Sequence, residues 1–250
     1  MGSFVFHLGK YIMLLWRVFS KPEKFSIYRR RLFDEMISLG LDSLGIIMII
    51  SLFMGAVITI QTAANIDSAF IPSYTIGFTT RQSSILEFSP TIMALILAGK
   101  VGSNIASEIG LMRVSEQIDA LEIMGVNSAS FLILPKILAS VFINPFLIVI
   151  SMFVSIGGGY LIAMATDIVT ITDYVEGIQL DFRPFHVVYA LIKTSVFAFL
   201  LTSIPAYNGY YASGSALDVG RASTAGVVNS MILILITNYV LTQLLLIWLK

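Results

Sequence analysis

The run Ala222–Leu249, ASTAGVVNSMILILITNYVLTQLLLIWL, contains no charged side chain. A helix needs about 20 residues to cross the hydrocarbon layer of a bilayer. In that layer each backbone N–H and C=O must be satisfied within the protein, and a helix does this within its own segment. The run therefore reads as a membrane-spanning helix, and it sets the expectation for the rest of the chain. Four further stretches are similarly apolar: Leu44–Ile66, Phe88–Ala106, Phe131–Ala165 and Phe185–Tyr211. Lys100 interrupts the second. The third is too long for one straight crossing, and Pro135 and Pro145 predict a kinked helix, or an interfacial turn followed by the span. The count is five, with six left open.

Composition agrees. Of 250 residues, 57% are hydrophobic and only 12% charged, against about a quarter charged in soluble domains. Fifteen Lys and Arg balance fifteen Asp and Glu, so no basic excess points to nucleic acid. The absence of cysteine excludes disulfides, thiolate metal sites and cysteine nucleophiles. His7 and His186 lie far apart in sequence, and nothing calls for a metal or a cofactor. The expected fold class is an all-α polytopic membrane protein, one domain over residues 1–250.

Charge asymmetry orients it. Lys10, Arg17, Lys21, Lys24, Arg29, Arg30 and Arg31 precede the first span. With that end in the cytoplasm and five spans, Lys100, Arg113, Lys136 and Arg221 also fall inside. Arg81, Arg183 and Lys250 fall outside, and Lys193 lies within a span, where snorkelling to the interface is one option. The N-terminal MGSFVFHLGK lacks a cleavable signal pattern. Residues 1–20 instead place His7, Lys10 and Arg17 on one helical stripe. Phe4, Leu8, Ile12, Leu15, Trp16 and Phe19 lie opposite. This predicts a helix lying in the membrane interface, ended by Lys21-Pro22. The outer loops from Asp67 to Glu87 and from Thr166 to Pro184 are short.

The segment between the second and third spans, Ala98–Gly125, reads AGKVGSNIASEIGLMRVSEQIDALEIMG. Gly99, Gly102, Ser103, Ala106 and Gly110 recur at helical spacing, a face that lets membrane helices approach closely; ordinary packing within one subunit explains it equally. From residue 111 to 124, Leu111, Val114, Ile118 and Leu121 form an apolar stripe. Arg113, Glu116, Gln117, Asp119 and Glu122 fill the remainder. Such an amphipathic helix is too charged for lipid. It is either a solvated connector or a helix that offers charge to a cytosolic partner. Among intramembrane polar groups, which are costly and commonly functional, Gln61 and Glu87 stand out. Glu87 is also suited to a helix N-terminus.

The Ala98–Gly125 segment resembles the signature of the MlaE (YrbE-type) permeases, membrane subunits of MCE-associated ABC lipid transporters. The resemblance runs from about Tyr28 to the C-terminus. It takes in LEFSP (Leu86–Pro90), KTSVFAF (Lys193–Phe199), YNGYYASG (Tyr207–Gly214) and VGRAST (Val219–Thr224). It implies an interfacial N-terminal helix, five spans in a bacterial inner membrane, and a homodimer around a lipid cavity. A cytosolic ATPase would sit below and a periplasmic MCE-domain protein above. The 111–124 helix becomes the coupling helix, with Arg113, Glu116, Asp119 and Glu122 facing the ATPase, and Gln61 and Glu87 line the cavity. The family often carries Arg immediately before the Glu of the LEFSP element. Here Leu86 stands there, so Glu87→Gln is expected to be milder than in relatives. The sequence lacks the G-x-x-x-x-G-K-[ST] phosphate loop, so ATP hydrolysis is assigned to a separate chain. An intramembrane lipid-modifying enzyme and a channel are the rival classes. No G-x-S-x-G surrounds a serine, and the spans offer Leu, Ile, Val and Phe rather than a polar pore lining.

Overall fold

The computed structural model describes residues 2–20, 25–66 and 71–248, and every regular element among them is helical. In chain order these are α1 (Gly2–Ser20), α2 (Tyr28–Asn65), α3 (Tyr74–Val114), α4 (Gln117–Ile123), α5 (Ser128–Ala165), α6 (Ile171–Gln179), α7 (Pro184–Tyr210) and α8 (Ala216–Trp248). Five of them, α2, α3, α5, α7 and α8, are long and apolar enough to cross a membrane. The chain is an all-α polytopic membrane protein, and five spans, not six, is the count among the described residues. The side chain of Phe4, the Lys21-Pro22 stop, Lys24, Asp67, Leu249 and Lys250 lie outside the described residues.

The helices outrun the apolar runs that announce them. α2 begins well before Leu44 and carries Arg29, Arg30, Arg31, Asp34 and Glu35. α3 begins at Tyr74, so most of the expected outer loop is helix, and it continues through Lys100, Glu108 and Arg113. α3 widens to π-type hydrogen bonding over Ser84–Ile92 and Ala98–Gly102. Pro90 lies in the first of these, where the inserted residue accommodates its missing N–H. α5 is one helix of 38 residues through both Pro135 and Pro145. The interfacial turn that the prolines allowed is absent.

Contacts divide the chain into two compact units. The first comprises Met1–Asp42, Ala94–Ile143 and Ser195–Lys250. Here the small-residue face of α3 is consumed within the chain. A side chain at Gly102 would meet Pro205, one at Gly110 would meet Val219, and Gly209 lies against the backbone of Ala106. Ser223 donates to the Ser103 carbonyl at 3.1 Å. The ordinary-packing reading of that face therefore holds. Lys136, almost without exposed surface, joins Glu35 at 2.6 Å and Glu108 at 2.7 Å. A buried ammonium is tolerable only when paired in this way.

In the same unit, α1 turns its polar stripe inward. His7 Nδ1 hydrogen-bonds the Tyr207 hydroxyl at 2.8 Å, Tyr11 meets Ser203 at 2.7 Å, and Lys10 lies over the Tyr211 ring. Leu14 and Val18 are buried beside them, while Leu8, Ile12, Met13, Trp16 and Phe19 are exposed. Burial raises the Tyr11 hydroxyl above its ordinary pKa, against the pull of its Ser203 hydrogen bond. An outward apolar face of this kind is what an interfacial helix presents to lipid.

The second unit comprises Ser43–Met93 and Asn144–Thr194. It is built on small residues and hydroxyls. Gly55 lies against the backbone of Ser155 and Gly158 against that of Leu52. Ser51, Ser151 and Ser89 form a buried hydroxyl relay at 2.8 and 3.1 Å, and Ser84 pairs with Ser155 at 2.9 Å. Such contacts replace the hydrophobic drive that lipid removes. α6 packs on the first turns of α3 with Gly77 and Gly177 at the crossing. Arg81, 2% exposed, donates to the carbonyls of Ile178 and Leu180 at the end of α6.

Candidate functional site

Glu87 sits in the π-widened part of α3, and its partner comes from α7. The Lys193 ammonium lies 2.9 Å from Glu87 Oε1 and 3.1 Å from the Leu86 carbonyl. Lys193 does not snorkel outward: its side chain is 0% exposed, whereas that of Glu87 is 42% exposed. Thr91 donates to the other carboxylate oxygen at 3.1 Å. Sequence reading noted Lys193 but not its partner, 106 positions away. The pair presents a partly open carboxylate whose charge is balanced from within. Gln61 stands exposed on the last turns of α2, where its backbone carbonyl accepts from the Asn65 amide.

The segment expected as one helix over 111–124 is two. α3 ends at Val114, Ser115 follows, and Glu116 adopts φ 60°, in the left-handed region. An L-residue pays for that conformation, and it bends the chain sharply before α4. The bend rearranges the expected faces. Ile118 is fully buried, but Leu111 is 53% exposed. Arg113 and Asp119 are drawn together across the bend at 2.6 Å. Glu116 remains exposed. At the end of α4, Ile123 is 87% and Met124 69% exposed, a bare apolar tip.

Glu122 points the other way, toward the ends of α1 and α7 and the start of α5. Its Oε1 accepts from Ser128 at 2.7 Å, from Arg17 at 2.8 Å and from Tyr210 at 3.0 Å. Burial acts to raise the carboxyl pKa; the hydrogen bonds from Ser128 and Tyr210 and the charge of Arg17 outweigh it, so the group titrates below the ordinary glutamate range. Of the four charges expected to face a partner, one is committed to α1, two to each other, and Glu116 is left outward.

Comparison with known proteins gives a consistent result. A family model described as Permease MlaE matches residues 32–244. A probable ABC transporter permease protein of Rickettsia bellii is 33% identical over 237 residues, covering 95% of this chain and 91% of its own. A second, of Synechocystis sp., is 33% identical over 218 residues, covering 87% and 82%. The chloroplast protein TRIGALACTOSYLDIACYLGLYCEROL 1 of Arabidopsis thaliana is 31% identical over 220 residues, covering 88% of this chain and 63% of its own.

Proposed function

The chain belongs to the MlaE permease family and is an ABC transporter permease, and from that premise we propose that it carries phospholipid or a related lipid between a bacterial inner membrane and a periplasmic MCE-domain protein, powered by a separate cytosolic ATPase. The N-terminus lies in the cytoplasm in this reading, as the distribution of Lys and Arg favours. The lipid class draws support from the Arabidopsis relative, which is named for a glycolipid, and from the Glu87–Lys193 pair, suited to a polar headgroup. Gln61 and Glu87 line the lipid path.

The observation that carries the reading is the elbow between α3 and α4. It joins two membrane spans and ends in the uncovered pair Ile123 and Met124, with Glu116 exposed beside the bend. Arg113 and Asp119 brace the elbow for the ATPase. Exposed apolar anchors with a polar rim are the usual make-up of a docking patch. A homodimer completes the transporter; α8, the least buried of the five spans, has room for a second copy along Leu217, Gly220, Thr224 and Val228.

Reconstitution tests it. The chain should purify with two copies of itself and with an ATPase, and proteoliposomes should transfer lipid to a soluble acceptor only with ATP. The Ile123→Asp, Met124→Asp variant should insert and dimerise but lose the ATPase. Lipid turnover or ion flux without any ATPase would replace this reading with the enzyme or the channel.

A further inference from the structure

We infer that Arg17 and Glu122 form a rigid transmission link, by which movement of the ATPase-docking elbow is passed directly to the N-terminal helix α1 rather than through the spans alone. The inference rests on the docking role proposed above and goes beyond it by naming what the docked helix drives.

Three observations carry it. First, Glu122 lies immediately before the bare tip Ile123–Met124, so whatever grips the tip displaces this carboxylate with it. Second, one carboxylate oxygen, Oε1, gathers donors from three other elements: Arg17 of α1, Ser128 at the start of α5 and Tyr210 at the end of α7. Ser128 and Tyr210 also bond each other at 2.8 Å. Charge-assisted bonds of this kind are the strong ones, and their geometry is directional. Third, the link is doubled: the Asn127 amide donates to the Arg17 backbone carbonyl at 2.9 Å, so both ends of the α4–α5 turn hold the last turn of α1. Farther along α1, Tyr11 and His7 bond Ser203 and Tyr207 of α7, and Lys10 lies over Tyr211 just past its end. α1 is therefore hinged on α7 and gripped at its end by the elbow. With its apolar face outward, a rotation of α1 works against lipid.

The chain has no cysteine, so introduced thiols are the only ones it carries. In the Arg17→Cys, Glu122→Cys variant, co-reconstituted with the ATPase, ATP hydrolysis should persist while lipid transfer falls at least tenfold. A short bis-methanethiosulfonate tether between the two thiols should restore transfer, and a reductant should abolish it again. Arg17→Glu alone should uncouple in the same way. If hydrolysis and transfer fall together, or the ATPase is lost, the pair is a structural tie and the inference is wrong. It is equally wrong if transfer is unchanged, or if the tether arrests transfer. Failure of the unaltered chain to bind any ATPase would instead overturn the docking role itself.

Discussion

The fully buried ammonium of Lys193 is held by the half-open carboxylate of Glu87, 2.9 Å away. The two ends of the pair are therefore unequal. Removing the exposed partner takes the counter-charge from a buried cation that keeps its bond to the Leu86 carbonyl, whereas removing the buried partner leaves an acid that water can still reach. Breaking a buried pair from one side costs roughly 3–5 kcal/mol, and Glu87→Gln should approach that figure more closely than Lys193→Met. This cost in stability is separate from any effect of Glu87→Gln on lipid contact. Thermal unfolding in detergent measures the order, and a Glu87→Gln variant as stable as the unaltered chain contradicts it.

Acid should loosen α1 in a narrow window. Because the Glu122 pKa in the fold lies below its ordinary value, its stabilising contribution is fully present above the ordinary glutamate range. It is lost as pH falls through the lower folded value. Trp16 is 78% exposed on α1, and with Trp248 replaced by Phe it becomes a single fluorescent reporter. Its signal should hold steady from neutral pH down to the ordinary glutamate pKa and change below it. In Glu122→Gln the signal should already be displaced at neutral pH and show no such step.

Lys136 answers two carboxylates, so its loss should be felt by both. Lys136→Met leaves Glu35 and Glu108 facing a space without a cation. Glu35 is 20% exposed and Glu108 47%, so water relieves part of the penalty and the cost should fall below about 3–5 kcal/mol. Replacing all three by Met or Leu should recover stability relative to Lys136→Met, since apolar substitutes for a buried ionic group are often neutral or better. Midpoints of thermal melts decide between the variants.

Two adjacent glycines should behave oppositely. A methyl group at Gly158 would sit 2.1 Å from the Leu52 carbonyl oxygen, while at Gly157 it meets nothing within 4 Å. Gly158→Ala must push α2 and α5 apart, at a cost of about 1–3 kcal/mol. Gly157→Ala should be neutral or gain up to about 1 kcal/mol from helix propensity. Equal effects would mean that the close approach of Gly158 to Leu52 does not matter.

The five spans were legible because lipid imposes a simple condition, and runs such as Ala222–Leu249 meet it without ambiguity. Their ends were not, because hydropathy stops where charge begins while the helix does not. Arg29–Arg31 extend α2, and Lys136 lies inside α5 because partners far along the chain satisfy it. The Glu87–Lys193 and Arg17–Glu122 pairs were each visible as residues, but separations of 106 and 105 positions carry no local signal. The elbow was missed for another reason. Helical periodicity runs unbroken through residues 111–124, and nothing marks Glu116 as the turning point, since the usual glycine is absent. The inward turn of Glu122 follows from that missed bend.

The inverted polarity of α1 has a practical consequence. Its core side is closed by hydroxyl and ionic contacts around Leu14 and Val18, and its larger apolar side is left for the surroundings to close. For this helix the solubilising medium acts as a structural component, in the way a bound cofactor does elsewhere. Detergents, amphipols and nanodiscs cover such a ridge to different depths. Preparations that agree on the five spans should therefore still differ at Trp16, and a comparison of transport rates between media is a comparison of differently completed proteins.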